Sequence, residues 1–574
     1  MDQKAVVFDV TGLDWWTELY AVEAVQGLAN RNGPKIMFGP SDYSAAQDRP
    51  GSPWNKDWLR IYSERNGMQF EPMKGLLPLL ERFRHLFKGI VVYDPAIDGT
   101  RCVAMTLAGT DSLLPVTKEM LAGESSDLKG KLGFQTLENI LGLEITEDLT
   151  GRFRDSVEVY EWALEHVMPK CNRRWAHTPS GPDVDGLYIG LGPFRSFDWT
   201  IANRGFIFNL TLIYEDEQSF GGIVKGDRRQ ADMYRTILDA LEAPAFIFGY
   251  GEFEWSWFML VGEKGHYYLH WGDNMSFHAK VPPRNAERKQ KFHFAEKDID
   301  ENDRRYRVCF VTSEGDTMKG PTPFFFGSWN DPQRGAAPIN WTVPALMSGF
   351  PAMLDYYYET ATENDYFVAF DIFNFRMPTF SEFIKDHARR YREADLRVSV
   401  LTERSRNDER LDEFVRAVKP LGVASIEWLS PGRKAYQRKL SDGTPLVCCS
   451  DDLGYWQAKI TGSWGSEWAD DIKDPVKRRD LIEKLVANIE AAASQLAAPG
   501  PVIVYGDTHR CNELSAFYAD VTAALNPKRF KAARLDEGLL AARLLLPDDI
   551  GGGNDVDASE DAAKLFEIQK DGDK

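Results

Sequence analysis

Acidic and polar residues follow six short apolar runs in the C-terminal half of the chain. The runs are RVCFVTSE, DYFVAFDI, LRVSVLTE, VASIEWLS, PLVCCSDD and PVIVYGDT. When parallel strands are joined by helices into a barrel, their carboxyl ends converge on one face, and active sites lie there. The residues at these ends are Ser313, Glu314, Asp316, Asp371, Thr402, Glu403, Glu427, Trp428, Asp451, Asp452, Asp507 and His509. This arrangement predicts a strongly acidic pocket.

Paired carboxylates in a partly dry pocket are suited to cleaving a glycosidic bond. One protonated carboxyl group assists the leaving oxygen, and a second carboxylate acts as nucleophile or as base for water. Crowding raises the pKa of one of them and so separates the two roles. Glu314 and Asp316 are the first choice, because Gly315 between them permits a sharp turn. The candidate catalytic set is Glu314, Asp316, Asp371, Glu403 and Asp452. For any one acid, capping of the next helix is the structural alternative.

A segment rich in proline and aromatic residues, GPTPFFFGSWNDPQRGAAPINWTVP, comes directly after the Glu314–Asp316 pair. Its composition predicts a long ordered loop over the mouth of the same pocket. Its aromatic and polar side chains could stack on a sugar ring and hydrogen-bond to sugar hydroxyls, although a loop packed down by its own aromatic residues fits equally well. The candidate substrate-binding residues are Trp329, Asn330, Arg334, Trp341, Asn374, Arg376, Trp428, Asp507 and His509.

The elements that must position these residues fall into two halves. Short apolar runs alternate with helical patterns in the N-terminal half, and the six runs recur regularly in the other. We expect an α/β protein with small N-terminal modules followed by a C-terminal (β/α) barrel, seven-stranded if FKAARLDE adds a last strand. An open doubly wound sheet is the alternative. The expected parts are α/β modules at 1–88, 89–200 and 201–282, a charged linker at 283–304, a barrel-like catalytic domain at 305–548 and an acidic disordered tail at 549–574.

Composition excludes several classes of function. The 574 residues include 87 acids and 68 bases, giving a net charge of −19, which repels phosphate backbones and argues against a nucleic-acid partner. The N-terminus lacks a signal-peptide pattern and no apolar run is long enough to span a membrane, so we expect a soluble chain, cytoplasmic or secreted with its signal removed. CxxC and HExxH patterns are absent, which argues against a zinc site, and the absence of GxSxG argues against an esterase. We expect no metal and no cofactor, although acids with His509 could bind a hard cation such as Ca²⁺. The sequence does not fix the oligomeric state.

The same residues carry a resemblance to the GxGYxYP putative glycoside hydrolase family. The stretch TSEGDTMKG, the motif WNDPQRGAAPINWTVP and the later NDYFV are similar to the family pattern, and the WNDPQRG motif is specific. In the N-terminal half, GLDWWTELYAVEAVQGLANRNGPKIM resembles the family's opening segment. The resemblance covers nearly the whole chain up to the acidic tail. It implies small N-terminal modules before a barrel-like domain of glycosidase type.

Two departures from the family pattern fall near the predicted pocket. Where the family has its characteristic glycines and tyrosines, this chain has Ile372, Phe373, Asn374, Phe375, Arg376, Met377 and Pro378. The family's SDGDN becomes Ser313 to Thr317, which retains acids at both carboxylate positions but loses the asparagine. Replacing glycine by bulkier residues removes backbone freedom. We therefore expect a reshaped pocket with a substrate different from the family average, or a pocket that has lost activity.

The leading hypothesis is hydrolysis of a glycosidic bond in an oligo- or polysaccharide. A polysaccharide lyase or deacetylase is the second enzyme hypothesis, with Arg334, Arg376 and His509 as candidates for neutralising charge or moving a proton. A carbohydrate-binding protein without catalysis is the third. Concentrated negative charge favours an enzyme over this third hypothesis, since binding a neutral sugar does not require it.

Overall fold

A computed structural model of the chain describes residues 4–39, 55–179, 197–210, 218–219, 222–223, 228–249, 254–270, 272–313, 317–371, 375, 377–402, 408–426, 432–462, 470–496, 498–506 and 513–547. The chain divides into two units. The first is Met1–Arg284 with the short segments Phe350–Ala352 and Met377–Thr379, and the second is the remainder, beginning at Asn285.

Within its described residues the first unit contains three parallel sheets and one short antiparallel ladder. The sheet orders are β2-β1-β3, β5-β4-β6 and β12-β11-β7-β8, and β9 pairs with β10. The strands are β1 (Ala5–Asp9), β2 (Ile36–Phe38), β3 (Phe70–Lys74), β4 (Gly89–Val92), β5 (Leu113–Val116), β6 (Ile145–Asp148), β7 (Trp175–Thr178), β8 (Phe206–Ile207), β9 (Gln218–Ser219), β10 (Gly222–Ile223), β11 (Phe246–Gly249) and β12 (Tyr267–Leu269). The third sheet begins at Trp175, before the predicted boundary at 201, because Trp175 pairs in parallel register with Phe246.

Helices lie between these strands along the chain. They are α1 (Glu18–Asn30), α2 (Asn55–Asn66), α3 (Leu76–Phe83), α4 (Asp98–Asp111), α5 (Lys118–Ala122), α6 (Leu137–Leu141), α7 (Ser156–His166), α8 (Phe197–Ala202), α9 (Arg228–Ala240), α10 (Glu254–Glu263) and α11 (Met275–His278). Helix α1 is buried on every side, and its buried polar side chains form hydrogen bonds, such as the 2.6 Å bond that Glu18 accepts from Ser125 Oγ. A Cβ at Gly27 would lie 2.6 Å from the carbonyl oxygen of Asp198, so only glycine permits this close contact with α8.

The second unit is built on one large sheet. Its order is β18-β19-β17-β16-β15-β14-β13-β20, with β21 also pairing with β13. All pairs are parallel except β18–β19, an antiparallel hairpin at one edge. The strands are β13 (Tyr306–Thr312), β14 (Ile339–Val343), β15 (Asp365–Asp371), β16 (Val398–Leu401), β17 (Gly422–Ser425), β18 (Tyr436–Lys439), β19 (Pro445–Cys448), β20 (Pro501–Gly506) and β21 (Phe530–Ala532). The run FKAARLDE does contribute a strand.

The helices of this unit connect the parallel strands. They are α12 (Phe325–Trp329), α13 (Pro351–Thr360), α14 (Phe380–Glu393), α15 (Asp408–Val418), α16 (Trp456–Thr461), α17 (Pro475–Gln495), α18 (Leu514–Ala524) and α19 (Leu535–Leu545), with a π-helical turn at Gly320–Phe324 and 3₁₀ turns at Glu296–Asp298, Ala345–Gly349 and Asp451–Leu453. An α-helix between neighbouring parallel strands is the usual crossover.

The large sheet is curled rather than closed by continuous strand pairing. Phe370 on β15 and Tyr505 on β20 approach to 6.0 Å between ring centroids, although β14 and β13 lie between their strands in the sheet. The end strand β20 contacts β19, and an isolated bridge joins Tyr505 of β20 to Gly454, which lies beyond the end of β19. The (β/α) barrel expected from sequence is therefore observed as a curled, half-barrel sheet.

The strand β14 lies where the sequence predicts a loop. All five of its residues, INWTV, are buried, and it pairs with β13 and β15. Pro338 and Pro344 stand just before and just after the strand, so neither removes a donor from its interior. The prediction of one long loop over residues 320–344 is wrong at β14, because the two prolines flank this strand and do not interrupt it.

Helix α19 closes the amino end of the curled sheet. It contacts β13, β17, β19 and β20, and a Cβ built on Gly422, the first residue of β17, would lie 2.9 Å from the side chain of Leu539. A Cβ on Gly538 would lie 3.0 Å from the Cys309 sulfur. Buried Leu540 and Ala541 pack with Ile299 beneath the helix. The concave side of the sheet is thus filled at this end.

A buried ion pair anchors α19. The Arg534 guanidinium donates to both carboxylate oxygens of Asp536, at 3.0 and 2.8 Å, and neither side chain is more than 5% exposed. The same carboxylate accepts hydrogen bonds from the backbone N–H groups of Phe294 and Glu537. Leu535 N donates to the Asn340 side-chain oxygen, which ties the helix start to β14.

The charged segment predicted as a linker at 283–304 packs against the second unit from Asn285 onward. The Gln290 side-chain nitrogen donates to the carbonyl oxygens of Phe367 and Asp395, both at 2.9 Å. His293 and the backbone N–H of Gln290 contact the Asp395 carboxylate at 2.8 and 3.0 Å, and Arg397 donates to its other oxygen. The polar groups of this segment therefore stabilise the unit.

We predict that Asp536→Asn destabilises the chain by about 3–5 kcal/mol, because it leaves the Arg534 charge buried without its partner. Chemical denaturation followed by tryptophan fluorescence measures the effect. Asp480→Asn is the matched control, since Asp480 is exposed on α17. Equal denaturation midpoints for the two variants would contradict the role given to the ion pair.

We predict that Asp395 contributes stability that is lost in acid. Burial raises the pKa of Asp395, but the hydrogen bonds from His293 and Arg397 outweigh it and lower the pKa below its ordinary value of 3.8. A lowered folded-state pKa stabilises the protein above the ordinary pKa, and the contribution disappears as pH falls through the lowered one. Asp395→Asn suits the test, because Asp395 has φ 52° and asparagine tolerates that conformation.

The stability difference between wild type and Asp395→Asn should accordingly shrink as the pH is lowered from 7 to 2. Urea denaturation midpoints at each pH measure it, with Asp480→Asn as the control whose difference from wild type stays flat. A difference for Asp395→Asn that does not change with pH would rule out this assignment.

Candidate active site

The carboxyl ends of the parallel strands lie side by side at one edge of the curled sheet. Ser313 N donates to Gly506 O at 2.8 Å, which aligns the ends of β13 and β20. On the other side, Asp371 pairs with Leu401, and Leu401 pairs with Ser425. This register brings the segments that follow β13, β15, β16, β17 and β20 to the same edge of the sheet.

Most sequence-predicted site residues follow these strand ends but lie outside the described residues. They are Glu314, Asp316, Asn374, Arg376, Glu403, Trp428, Asp507 and His509. Asp371 is described as the last residue of β15. The described residues therefore fix where the chain enters each of these segments.

The end of β13 is held by hydroxyl groups. Thr342 N donates to Thr312 Oγ1 at 2.9 Å, and Thr342 Oγ1 lies 2.9 Å from Thr312 O and 3.0 Å from Ser313 O. All three residues are fully buried. The chain consequently leaves the sheet for Glu314 from a fixed position, which is the support that a precisely placed catalytic group requires.

Aromatic rings fill the concave side just below the open edge. Tyr505 packs against Phe370 and makes an edge contact with Tyr455, with ring centroids 4.7 Å apart. Tyr505 and Phe370 are buried, whereas Tyr455 is partly exposed. Tyr455 has φ 46°, a conformation uncommon for a bulky side chain. Tyr455 is not among the site residues predicted from the sequence. Its position four residues after Asp451 is the one sequence feature that could have indicated it.

The same edge carries a buried carboxylate with a lysine partner. Asp451 is 8% exposed, and Lys459 Nζ lies 3.0 Å from both of its oxygens. Gly432 N also approaches this carboxylate, at 3.3 Å. Arg433 donates to Ser425 Oγ at 3.2 Å, so a second cation lies beside the end of β17. Positive groups are thus mixed into an edge that the sequence predicts to be acidic.

Asp452, the neighbour that the sequence analysis selected, is exposed. Its carbonyl oxygen accepts a hydrogen bond from the Asn488 side chain of α17 at 3.3 Å. Of the two adjacent acids, Asp451 has the more enclosed environment. The sequence does not show which of two adjacent residues in a short 3₁₀ turn is buried.

Several hydroxyl groups at this edge are buried without a hydrogen-bond partner among the described residues. Thr402 Oγ1 and Ser450 Oγ belong to residues that are 5% and 2% exposed. Thr402 follows β16 and Ser450 follows β19. A buried polar atom without a partner is costly, and a bound polar ligand is one way to satisfy it.

The tryptophans predicted to stack on substrate belong to the core. Trp341 is fully buried on β14, and its indole N–H donates to Asp365 Oδ1 at 2.9 Å. Trp329 is 3% exposed and packs edge-on against Trp341 at 5.1 Å. Neither ring is available to a sugar, so the structure contradicts this part of the prediction.

Arg334 lies at the opposite edge from the candidate site. It forms an ion pair with Asp365, the first residue of β15, and stacks over the Trp329 ring at 4.1 Å. Asn330 is exposed beside them, after the end of α12. The WNDPQRG motif thus joins α12 to the amino end of the sheet, where its residues stabilise the fold.

Two histidines of the first unit, His177 and His278, are buried in its core. Burial lowers the pKa of His177 and of His278 to about 3, so both rings stay neutral in the core.

Among the described residues, no group of three or more His, Cys, Asp or Glu side chains is arranged to hold a metal ion. None of the described helices combines the length and apolar character needed to cross a membrane.

Comparison with known proteins agrees with this architecture. Residues 305–490 match the model described as the GxGYxYP putative glycoside hydrolase C-terminal domain, and residues 87–171 match the model of the GxGYxYP_N second domain. No curated protein sequence matches the chain. The two matched regions include the strands β13–β19, whose ends form the candidate site.

A crystal structure of a putative hydrolase from Bacteroides thetaiotaomicron is similar over 95% of each chain, with a TM-score of 0.71 and 17% identity, which establishes a shared fold. A putative polysaccharide deacetylase from Mycobacterium smegmatis matches 47% of this chain and 100% of its own, with a TM-score of 0.30 and 9% identity, too low to support an argument. On these two matches and the motifs within them, residues 87–171 and 305–490 of the chain belong to the GxGYxYP family.

Proposed function

We propose that this protein hydrolyses a glycosidic bond in an oligo- or polysaccharide at the carboxyl edge of the curled sheet. The observation that carries the proposal is the convergence of the strand ends on this edge while α19 fills the other. Acid-rich segments leave the sheet from neighbouring strands, and glycoside hydrolysis needs two carboxylates from different parts of the chain. The family membership and the hydrolase of similar fold support the same class of reaction.

Asp316 is the proposed catalytic carboxylate, with Glu314, Asp371, Glu403 or Asp452 as its partner. A separation of about 5–5.5 Å between the two carboxyl groups corresponds to retention of configuration, and about 6.5–9.5 Å to inversion. The proposal keeps Asn374, Arg376, Trp428, Asp507 and His509 as substrate-binding residues. Asp451 is added as a charged group held by Lys459 at the same edge.

Polar and aromatic groups at the edge support a sugar as the ligand. Tyr455 offers a partly exposed ring, and the strand ends of the same edge carry the buried hydroxyls of Thr402 and Ser450. A sugar ring combines an apolar face with hydroxyl groups, so a stacking ring and unsatisfied hydrogen-bonding groups recognise it together. This ring takes the stacking role that sequence analysis gave to Trp329 and Trp341.

We predict that Asp316→Asn lowers turnover by about 10²–10⁴-fold, the effect of losing a general acid or base. The assay is a screen of diverse glycans with mass and reducing-end detection, followed by kinetics on the best substrate. Asp480→Asn on the exposed face of α17 should retain wild-type turnover. Full activity in Asp316→Asn would remove Asp316 from the mechanism.

The products of the same screen separate hydrolysis from the other reactions. Unsaturated products that absorb ultraviolet light would indicate a lyase, and released acetate would indicate a deacetylase. Glycan binding by calorimetry without turnover would indicate a binding protein. Each of these results would replace hydrolysis as the function.

We predict that Tyr455→Asn raises KM on the order of tenfold, because it removes the stacking ring, while kcat changes less. Asparagine tolerates the left-handed backbone at this position, so the fold should be retained. Trp329→Phe is a useful contrast, since Trp329 is a core residue and its replacement should affect the denaturation midpoint more than KM. An unchanged KM in Tyr455→Asn would exclude the stacking role.

A further inference from the structure

A cavity of about 480 Å³ opens at the amino end of the large sheet, beside the hairpin β18–β19. It is lined by Lys419, Pro420, Leu421, Lys439, Asp442, Gly443, Thr444 and Arg543. Small-molecule sites typically have volumes of about 300–1,000 Å³. The strand ends that form the candidate active site lie at the other edge of this sheet. The cavity therefore requires an explanation of its own.

The charge of this cavity is opposite to that of the chain. Three cationic side chains, Lys419, Lys439 and Arg543, line it together with one carboxylate, Asp442. The whole chain carries a net charge of −19. One oxygen of Asp442 accepts the backbone N–H of Thr444 at 2.9 Å, within the hairpin turn. An excess of positive charge in one hollow of an acidic protein attracts anions.

The guanidinium of Arg543 is held in place at the wall of the cavity. One of its nitrogens donates to Leu421 O at 2.8 Å and lies 3.4 Å from Pro420 O. Its Nε is buried without a hydrogen-bond partner among the described residues. Glu296 approaches the group at 3.7 Å, but that carboxylate is 56% exposed and weakly coupled to it. A fixed guanidinium loses little conformational freedom when it binds an anion.

Lys419 brings a second cation to the same hollow. Its backbone is fixed after α15, with φ 57° and a hydrogen bond of 2.8 Å from its N–H to Val415 O. Its ammonium group forms no ion pair with a carboxylate in the described part of the chain. Half-buried Leu421 and buried Pro420 add a small apolar part to the lining. Such a lining suits a ligand that has an anionic group and an apolar ring face.

We propose that this cavity binds a sugar-sized ligand carrying an anionic group, of the sulfate, phosphate or carboxylate type. Arg543 and Lys419 hold the anionic group, and Pro420 and Leu421 contact the ring. The site is separate from the carboxyl edge, so binding here does not require turnover there.

Isothermal calorimetry at low ionic strength tests the proposal with five probes: glucose 6-sulfate, glucose 6-phosphate, glucuronic acid, neutral glucose and inorganic sulfate. At least one anionic sugar should bind, and glucose should not. Lys419→Gln should weaken that binding about tenfold, as expected for the loss of one nearby charge. Lys528→Gln is the matched control, because Lys528 is an exposed lysine of the same unit outside the cavity.

Three results would overturn the proposal. The first is that no anionic sugar binds, and the second is that Lys419→Gln and Lys528→Gln weaken binding of the anionic sugar equally. The third is that inorganic sulfate and glucose 6-sulfate bind with equal affinity, which would leave no role for the sugar ring. Glycan turnover by Lys419→Gln should match wild type. Failure of the anion site would leave that turnover intact, so it is distinguishable from failure of the proposed hydrolysis.

Discussion

The closed amino end of the curled sheet is the constraint on which the second unit depends. Helix α19 fills this end, and it is anchored by the Arg534–Asp536 ion pair and by the hydrogen bond from Leu535 to Asn340. A buried ion pair costs desolvation and is tolerated only with further hydrogen bonds. Asp536 has them, from the backbone N–H groups of Phe294 and Glu537. Helix α19 thus fixes one end of the curled sheet, and the proposed hydrolysis is assigned to the carboxyl edge at the other end.

We assign stability to one end of the sheet and the proposed chemistry to the other. The specific motif WNDPQRG belongs to the amino end, where Arg334 joins Asp365 to the aromatic core. At the carboxyl edge, buried hydroxyls of Thr402 and Ser450 lack partners among the described residues, an arrangement that costs stability and suits ligand binding. A sequence motif can thus identify a family through its scaffold and not through its catalytic groups.

The strands of the second unit could be predicted from the sequence because buried parallel strands appear as short apolar runs. Six of those runs are strands, and FKAARLDE adds another. Strand β14 was missed because its aromatic and proline-rich surroundings resemble a loop, although Pro338 and Pro344 only flank it. The sequence also could not predict whether the sheet closes into a barrel, because local patterns do not show whether the strands at its two ends pair.

The site itself was less predictable than the fold. The order of residues shows which acids follow the strands, but it does not show which of these acids are buried. Asp451 is buried and its neighbour Asp452 is exposed within a single 3₁₀ turn. Trp329 and Trp341 show the same difficulty, because the sequence alone does not distinguish a tryptophan in the core from one on a binding surface. Tyr455 became a candidate only through its contact with Tyr505.

The seam between β19 and β20 has a consequence for how this fold varies. In the described residues these two strands share no ladder, and one bridge joins Tyr505 of β20 to Gly454 beyond β19, whereas each pair of neighbouring strands in the sheet forms a ladder of at least two residues. Extra residues inserted after Gly454 would disturb that one bridge and no ladder. We therefore expect the spacing between β19 and β20 to vary at less cost to the sheet than the spacing between strands that share a ladder.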